Sequence, residues 1–187
     1  MSSDDISRRV IEILNGHRIA YMVVGSLSSN FHSTIRSTKD ADIVVQSDLG
    51  GIARLIADEC AILRLDPQLG FESVTATTKI VLRAEQEEFE VELFGLSDDP
   101  HDQERFKRRI CVDWFGLPMW MASAEDALIT KLRWANQIGR AKDIADAQNI
   151  VGVSGDKLNW PYVEHWCDQH GSRPLLEKIR AELRKIP

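Results

Sequence analysis

The segment Asp40-Ala41-Asp42-Ile43-Val44-Val45 constrains the fold of this chain more than any other. Its first half alternates charged and small residues, and its second half is wholly apolar. Alternation implies one wet face, whereas a continuous run of β-branched residues needs cover on both faces. The segment is therefore predicted to be a strand that enters a covered sheet at one end. Asp40 and Asp42, two apart on that strand, project from the same face. Two like charges held that close are costly unless a cation neutralises them.

The surrounding sequence supplies the rest of a sheet. Ile19 to Val24 is an apolar run rich in β-formers that ends abruptly at Gly25-Ser26, and Leu27 to His32 then begins a helix. Further strands are predicted at Thr77 to Arg83 and Phe89 to Phe94, with a hairpin from Ile110 to Phe115 and Met119 to Ala122 around Gly116-Leu117-Pro118. Helices are predicted from Asp4 to Gly16, where Ile6, Val10, Ile13 and Leu14 fall at helical spacing, from Ser47-Asp48 to about Glu59, and over 100–109. From Ser123 the periodicity is helical throughout, opening with a capping-box-like Ser123-Ala-Glu-Asp126. The helices expected there are 124–137, 141–152, 160–170 and 173–185. The fold class is accordingly α+β (α/β), a small mixed β-sheet flanked by helices. Residues 1–122 form the α/β core, and residues 123–187 a C-terminal helical bundle packed on it as a single compact unit.

Bulk properties narrow the function. At 187 residues the chain can bury a real core. No apolar run reaches the roughly 20 residues that span a bilayer, and the acidic Met-Ser-Ser-Asp-Asp start does not read as a signal peptide. Cys60, Cys111 and Cys167 are far apart and odd in number, which argues against disulfides and thiolate zinc and for a cytoplasmic home. None of the five histidines has ligand spacing, and the five tryptophans read as packing residues. A net charge of −6 disfavours extended nucleic-acid binding, while it suits carboxylates gathered around divalent cations.

The chemistry concentrates in Gly25-Ser26, a spacer of thirteen residues, and Asp40-Ala-Asp42. A glycine that ends a buried strand lets a backbone or a phosphate approach closely, and Ser26 adds a hydroxyl donor. Mg²⁺ takes one or two carboxylates together with phosphate oxygens. A third carboxylate on a neighbouring strand would complete a two-metal site. Phe89, Val91 and Leu93 share one face of their strand, which leaves Glu88, Glu90 and Glu92 on the other. Lys131 falls inside the apolar stripe Ala127, Leu128, Leu132 and Ala135, where it is expensive unless it snorkels to water or meets an anion. Asp143, within Gly139-Arg140-Ala-Lys142-Asp143-Ile-Ala-Asp146, is aimed inward with Ala147 and Ile150.

The Gly-Ser, spacer, Asp-x-Asp pattern resembles the signature of the nucleotidyltransferase (polymerase β-like) superfamily. Lys131 and Arg140-x-Lys-Asp143-x-x-Asp resemble the extra motifs of its abortive-infection-toxin-like branch. The resemblance spans roughly residues 20 to 150. It implies two Mg²⁺ ions, an NTP donor and transfer of NMP to a hydroxyl acceptor on a protein, an RNA or a small molecule. It would give Gly25 and Ser26 to the triphosphate, Asp40 and Asp42 to the metals, and Glu92 (alternatively Glu90) to the third carboxylate place. Lys131 would touch phosphate, and Asp143 would assist at the acceptor or orient Lys131. Arg36 and Lys39, beside the aspartates, would contact phosphate or only balance the acidic pair, and an RNA acceptor would need a locally basic pocket near Lys131, Arg140 and Lys142. The third carboxylate of this superfamily is commonly Asp, and here the position offers Glu.

Blander readings attach to the same residues. Gly-Ser often only caps a helix, the glutamates are the wet face of an antiparallel strand, and acids complement the first turn of any helix. The rival to an enzyme is a catalytically inactive nucleotide-binding module, or a toxin–antitoxin protein partner.

Overall fold

The computed structural model describes residues 2–34, 37–85 and 87–183, which form two compact units. The first comprises residues 2–27 and 37–122, apart from residue 86, and the second comprises residues 28–34 and 123–183.

The first unit is built on a mixed sheet of eight strands among the described residues. They are β1 (Tyr21–Val24), β2 (Asp40–Val45), β3 (Leu63–Leu65), β4 (Gly70–Glu72), β5 (Thr77–Ala84), β6 (Glu90–Gly95), β7 (Ile110–Trp114) and β8 (Leu117–Met121). Their order is β3-β5-β6-β2-β1-β8-β7, with β4 pairing β5 as well. β2 lies antiparallel to β1 and parallel to β6, and β5 and β6 form an antiparallel pair.

One face of the sheet carries Tyr21, Val23, Ala41, Ile43, Val45, Val91 and Leu93. Helices α1 (Ser3–Gly16) and α3 (Leu49–Glu59) cover it through Ile6, Val10, Ile13, Leu14, Ile52 and Ile56. α1 is closed at its start by a capping box between Ser2 and Asp5, and Asp48 caps α3 by accepting from the Gly51 amide at 3.0 Å. The opposite face is divided. At one end Met22, Val44, Phe94 and Ala122 pack with Phe106 of α4 (Pro100–Lys107). At the other end the side chains of that face are charged, and this is where Asp40 and Asp42 stand.

Strands β3 and β4 are absent from the sequence expectation, because each has only three residues and carries no clear alternation of buried and exposed positions. Strand β1 starts at Tyr21 rather than at Ile19, whose amide bonds back to the carbonyl of Leu14 at 2.9 Å and so closes the end of α1.

The second unit contains α5 (Ala124–Ile138), α6 (Ala141–Ser154), a 3-10 turn (Gly155–Lys157), α7 (Trp160–Gln169) and α8 (Arg173–Leu183). Leu128, Ile129, Leu132, Ala147, Ile150, Val163, Cys167, Leu176 and Ile179 make its core. Helix α2 (Gly25–Phe31) begins in the first unit and ends in the second. No described helix is long and apolar enough to cross a membrane.

Burial pushes the Cys167 thiol up to about 11, from an ordinary value of 9.0. Below pH 9 the thiol is protonated in the folded and unfolded chains alike. Between pH 9 and 11 the unfolded chain loses that proton while the folded one keeps it, so stability falls across this window by about 2–3 kcal/mol. Urea midpoints measured at pH 8 and 10.5 are expected to show a smaller loss in Cys167→Ala than in the wild type. Equal losses would mean that the thiol is not held neutral by the core.

Candidate active site

The charged end of the open sheet face is set by strand register. Asp42 of β2 faces Val24 of β1 on one side and Glu92 of β6 on the other. Asp40 faces Glu90 in the same ladder. Residues opposite one another in a sheet project to the same side, so two pairs of carboxylates lie on one face. Strand β5 then places Arg83 against Glu90 and Val81 against Glu92, with Lys79 one pair further along, against Phe94. The face therefore runs from acidic on β2 and β6 to basic on β5.

The two halves of the sequence signature meet physically. Gly25 ends β1 with φ +61°, and the Asp42 side chain lies directly against its Cα. A Cβ at residue 25 would stand 1.8 Å from Asp42 Oδ2, 2.6 Å from Cγ and 2.9 Å from Cβ. Any side chain there would drive the carboxylate from its place, so the glycine and the aspartate form one structural unit. Ser26 is only 2% exposed, and its helix, α2, is seven residues long.

Each carboxylate on the face has a distinct environment. The Thr38 hydroxyl donates to Asp40 Oδ1. The Lys79 ammonium donates to Glu92 Oε1 at 2.7 Å, with both side chains largely covered (27% and 20% exposed). Glu90 is paired with Arg83, which also reaches Asp66. Lys39 is turned outward to Glu88, and this ion pair holds the Glu88 carboxyl below its ordinary value. Among the described residues no three His, Cys, Asp or Glu side chains are gathered as a metal-binding group. Asp40 and Asp42 offer two hard oxygen donors on one face, which suits a Mg²⁺ ion that draws its other ligands from phosphate and water. The carboxylate of Glu92 is engaged by Lys79 instead. Arg36 lies outside the described residues.

In the second unit, Lys131 is neither at the surface nor snorkelled. It is 8% exposed, and its Nζ lies 3.0 Å from Asp143 Oδ1 and 2.9 Å from Asp146 Oδ2. Asp143, 1% exposed, also accepts from Arg140 Nε at 2.8 Å, and Arg140 stacks over the Trp134 ring. Lys142 is exposed. The sequence pattern thus brings Lys131, Asp143 and Asp146 into one buried cluster, with Arg140 joining it from an exposed position. Two residues of the first unit's charged face, Lys79 and Thr38, escaped sequence reasoning. The strand Thr77 to Arg83 is expected from its sequence, but nothing local says that Lys79 stands beside Glu92.

A sheet of this order, with a glycine-ended strand beside paired aspartates on its neighbour, has the nucleotidyltransferase fold. Neither a protein-family model nor a curated protein sequence matches the chain. Solved structures do resemble it. The antibiotic-resistance factor ANT(2'')-Ia superposes with a TM-score of 0.62 at 12% identity, over 98% of this chain and 97% of that one. Its complex with adenylyl-2"-tobramycin gives 0.61 at 11% identity, over 91% and 98%. An antigenic nucleotidyltransferase-like protein from Paracoccidioides brasiliensis gives 0.58 at 18% identity, over 96% and 93%. The lincosamide antibiotic adenylyltransferase LnuA, with lincomycin bound, gives 0.54 at 9% identity, over 78% and 94%.

Proposed function

We propose that this chain is a divalent-metal-dependent nucleotidyltransferase that moves NMP from an NTP to a hydroxyl group of a small molecule. The observation that carries this reading is the contact between Gly25 and Asp42 on a face where Asp42 stands in register with Glu92. A purely structural Asp-x-Asp has no need of a glycine emptied of its side chain to seat one of its carboxylates. The likeness in fold to proteins described as an adenylyltransferase and as a complex with adenylyl-2"-tobramycin supports adenylyl transfer to a hydroxyl-bearing antibiotic or similar compound. The net charge of −6 favours a cationic or neutral acceptor over RNA.

In this reading Asp40 and Asp42 hold the cation, which when bound supplies positive charge to the triphosphate. The acceptor hydroxyl oxygen bonds to the α-phosphorus, and the bond from that phosphorus to the bridging oxygen of the β-phosphate breaks. Pyrophosphate leaves, and the hydroxyl proton passes to a carboxylate on the same face. Gly25 leaves room for the Asp42 carboxylate itself, which seats that ligand of the cation at the end of β1. Lys131, held by Asp143 and Asp146, belongs to the architecture of the helical unit in this scheme. The engagement of Glu92 by Lys79 favours one second reading, a nucleotide-binding module without transfer, which retains the donor site and lacks turnover.

Thermal unfolding with ATP, GTP, CTP or UTP, with and without Mg²⁺, tests the donor site. A nucleotide at a hundred times its dissociation constant adds about 2.7 kcal/mol, a rise of several degrees at this size. The rise is expected to need Mg²⁺ and to vanish in Asp42→Asn. No rise with any nucleotide would end this reading. A rise without release of pyrophosphate in the presence of aminoglycoside or lincosamide acceptors would favour the module.

A further inference from the structure

Lys79 is built into the carboxylate face rather than laid over it. Its stem crosses Gly70 of the neighbouring β4, where a Cβ would come within 3.2 Å of Lys79 Cε and 3.5 Å of its Cβ. Its ammonium stands 5.8 Å from the centroid of the Phe94 ring and 2.7 Å from Glu92 Oε1. A side chain with four rotatable bonds is thus confined on two sides and tied at its tip. Confinement matters because an exposed lysine would lose most of an ion pair's value to solvent and to its own entropy. Glu92, in register with Asp42, is the carboxylate that would otherwise complete a set of three. A carboxylate oxygen already accepting from an ammonium is a poor ligand for a second dication, since the two cations would repel at close range.

From this arrangement we infer that Lys79 serves as a fixed positive charge in place of one of two metal ions, so that the face takes a single divalent cation, held by Asp40 and Asp42. Lys79 is a positioning residue: it holds the Glu92 carboxylate by charge and leaves it outside the metal's ligand set. The inference rests on the donor-site reading above and changes the number of ions from two to one. A protonated amine differs from Mg²⁺ in that it is tethered to the chain, carries one charge rather than two and is present without any free metal. The site would accordingly need less free metal to become competent than a two-ion site does.

Counting ions tests this without any turnover. Mn²⁺ bound per chain is measured by equilibrium dialysis, as the excess of the ion on the protein side over the protein-free side. The measurement uses saturating α,β-methylene-ATP, which cannot be cleaved between its α and β phosphorus atoms. One ion is expected for the wild type, two for Lys79→Met, and one again for Lys79→Met combined with Glu92→Gln. Lys79→Gln replaces Lys79→Met if the methionine variant loses the cooperative unfolding of the wild type. Two ions in the wild type, or one ion in the Lys79 single variant, would overturn the inference while leaving the donor site standing. No Mn²⁺ or analogue bound by any variant would overturn the donor-site reading and this inference with it.

Discussion

Lys131→Met is expected to lower the stability of the chain by about 3–5 kcal/mol, the cost of leaving buried carboxylates without their counter-charge. The ammonium lies within ion-pair distance of both Asp143 (3.0 Å) and Asp146 (2.9 Å) in a helical unit where all three side chains are buried. Asp143 keeps Arg140 as a partner. Urea unfolding of the full chain measures the loss. The triple variant Lys131→Met, Asp143→Asn, Asp146→Asn removes all three charges and is expected to recover a large part of it, as neutralised buried networks commonly do. A single-variant loss below about 1 kcal/mol would show that Lys131 is not the counter-charge of this cluster and would return it to the role of a phosphate ligand. If the loss is large and the triple variant still binds nucleotide, Lys131 is an architectural residue.

The second large effect belongs to Gly25→Ala. An alanine at φ +61° costs about 1–2 kcal/mol in backbone strain alone. The added methyl would also stand 1.8 Å from Asp42 Oδ2 and 2.9 Å from its Cβ. Rotation of the carboxylate relieves the first contact, but the Cβ is fixed by the strand and cannot move away. A total loss of about 2–5 kcal/mol is expected, together with loss of the nucleotide-dependent thermal shift. In an Asp42→Gly background, which removes the Cβ as well as the carboxylate, the cost of Gly25→Ala should fall by at least about 1 kcal/mol, which a double-mutant cycle measures directly. Additive losses would show that the two residues do not share their space.

Much of the fold was legible because its elements announce themselves locally. The stripe Ile6, Val10, Ile13 and Leu14 is the buried side of α1, and all four residues are in the main core. Ser123 caps α5 as its capping-box pattern implied, accepting from the Asp126 amide at 3.2 Å. The inward aim of Lys131 and Asp143 followed from their place in apolar helical stripes, and their partners are one another. Strands β3 and β4 escaped because three residues carry too little alternation to be heard. They form only because β5 offers them an edge.

Glu92 shows where local reading stops. Its face of the strand followed from Phe89, Val91 and Leu93 being apolar, and all three are buried. That it stands beside Asp42 depends on the parallel pairing of β2 with β6, a register between segments some fifty residues apart. That it gives an oxygen to Lys79 depends on the β5–β6 register and on the bare Cα of Gly70. The sequence by itself determined the periodicities, the caps, the glycine at the end of a buried strand and the spacing that puts paired aspartates on one face, since each follows from a residue and its near neighbours along the chain. The tertiary structure alone decided which charges meet. Strand register and helix packing bring together groups that no local pattern links, and ion pairing depends on distance in space rather than along the chain.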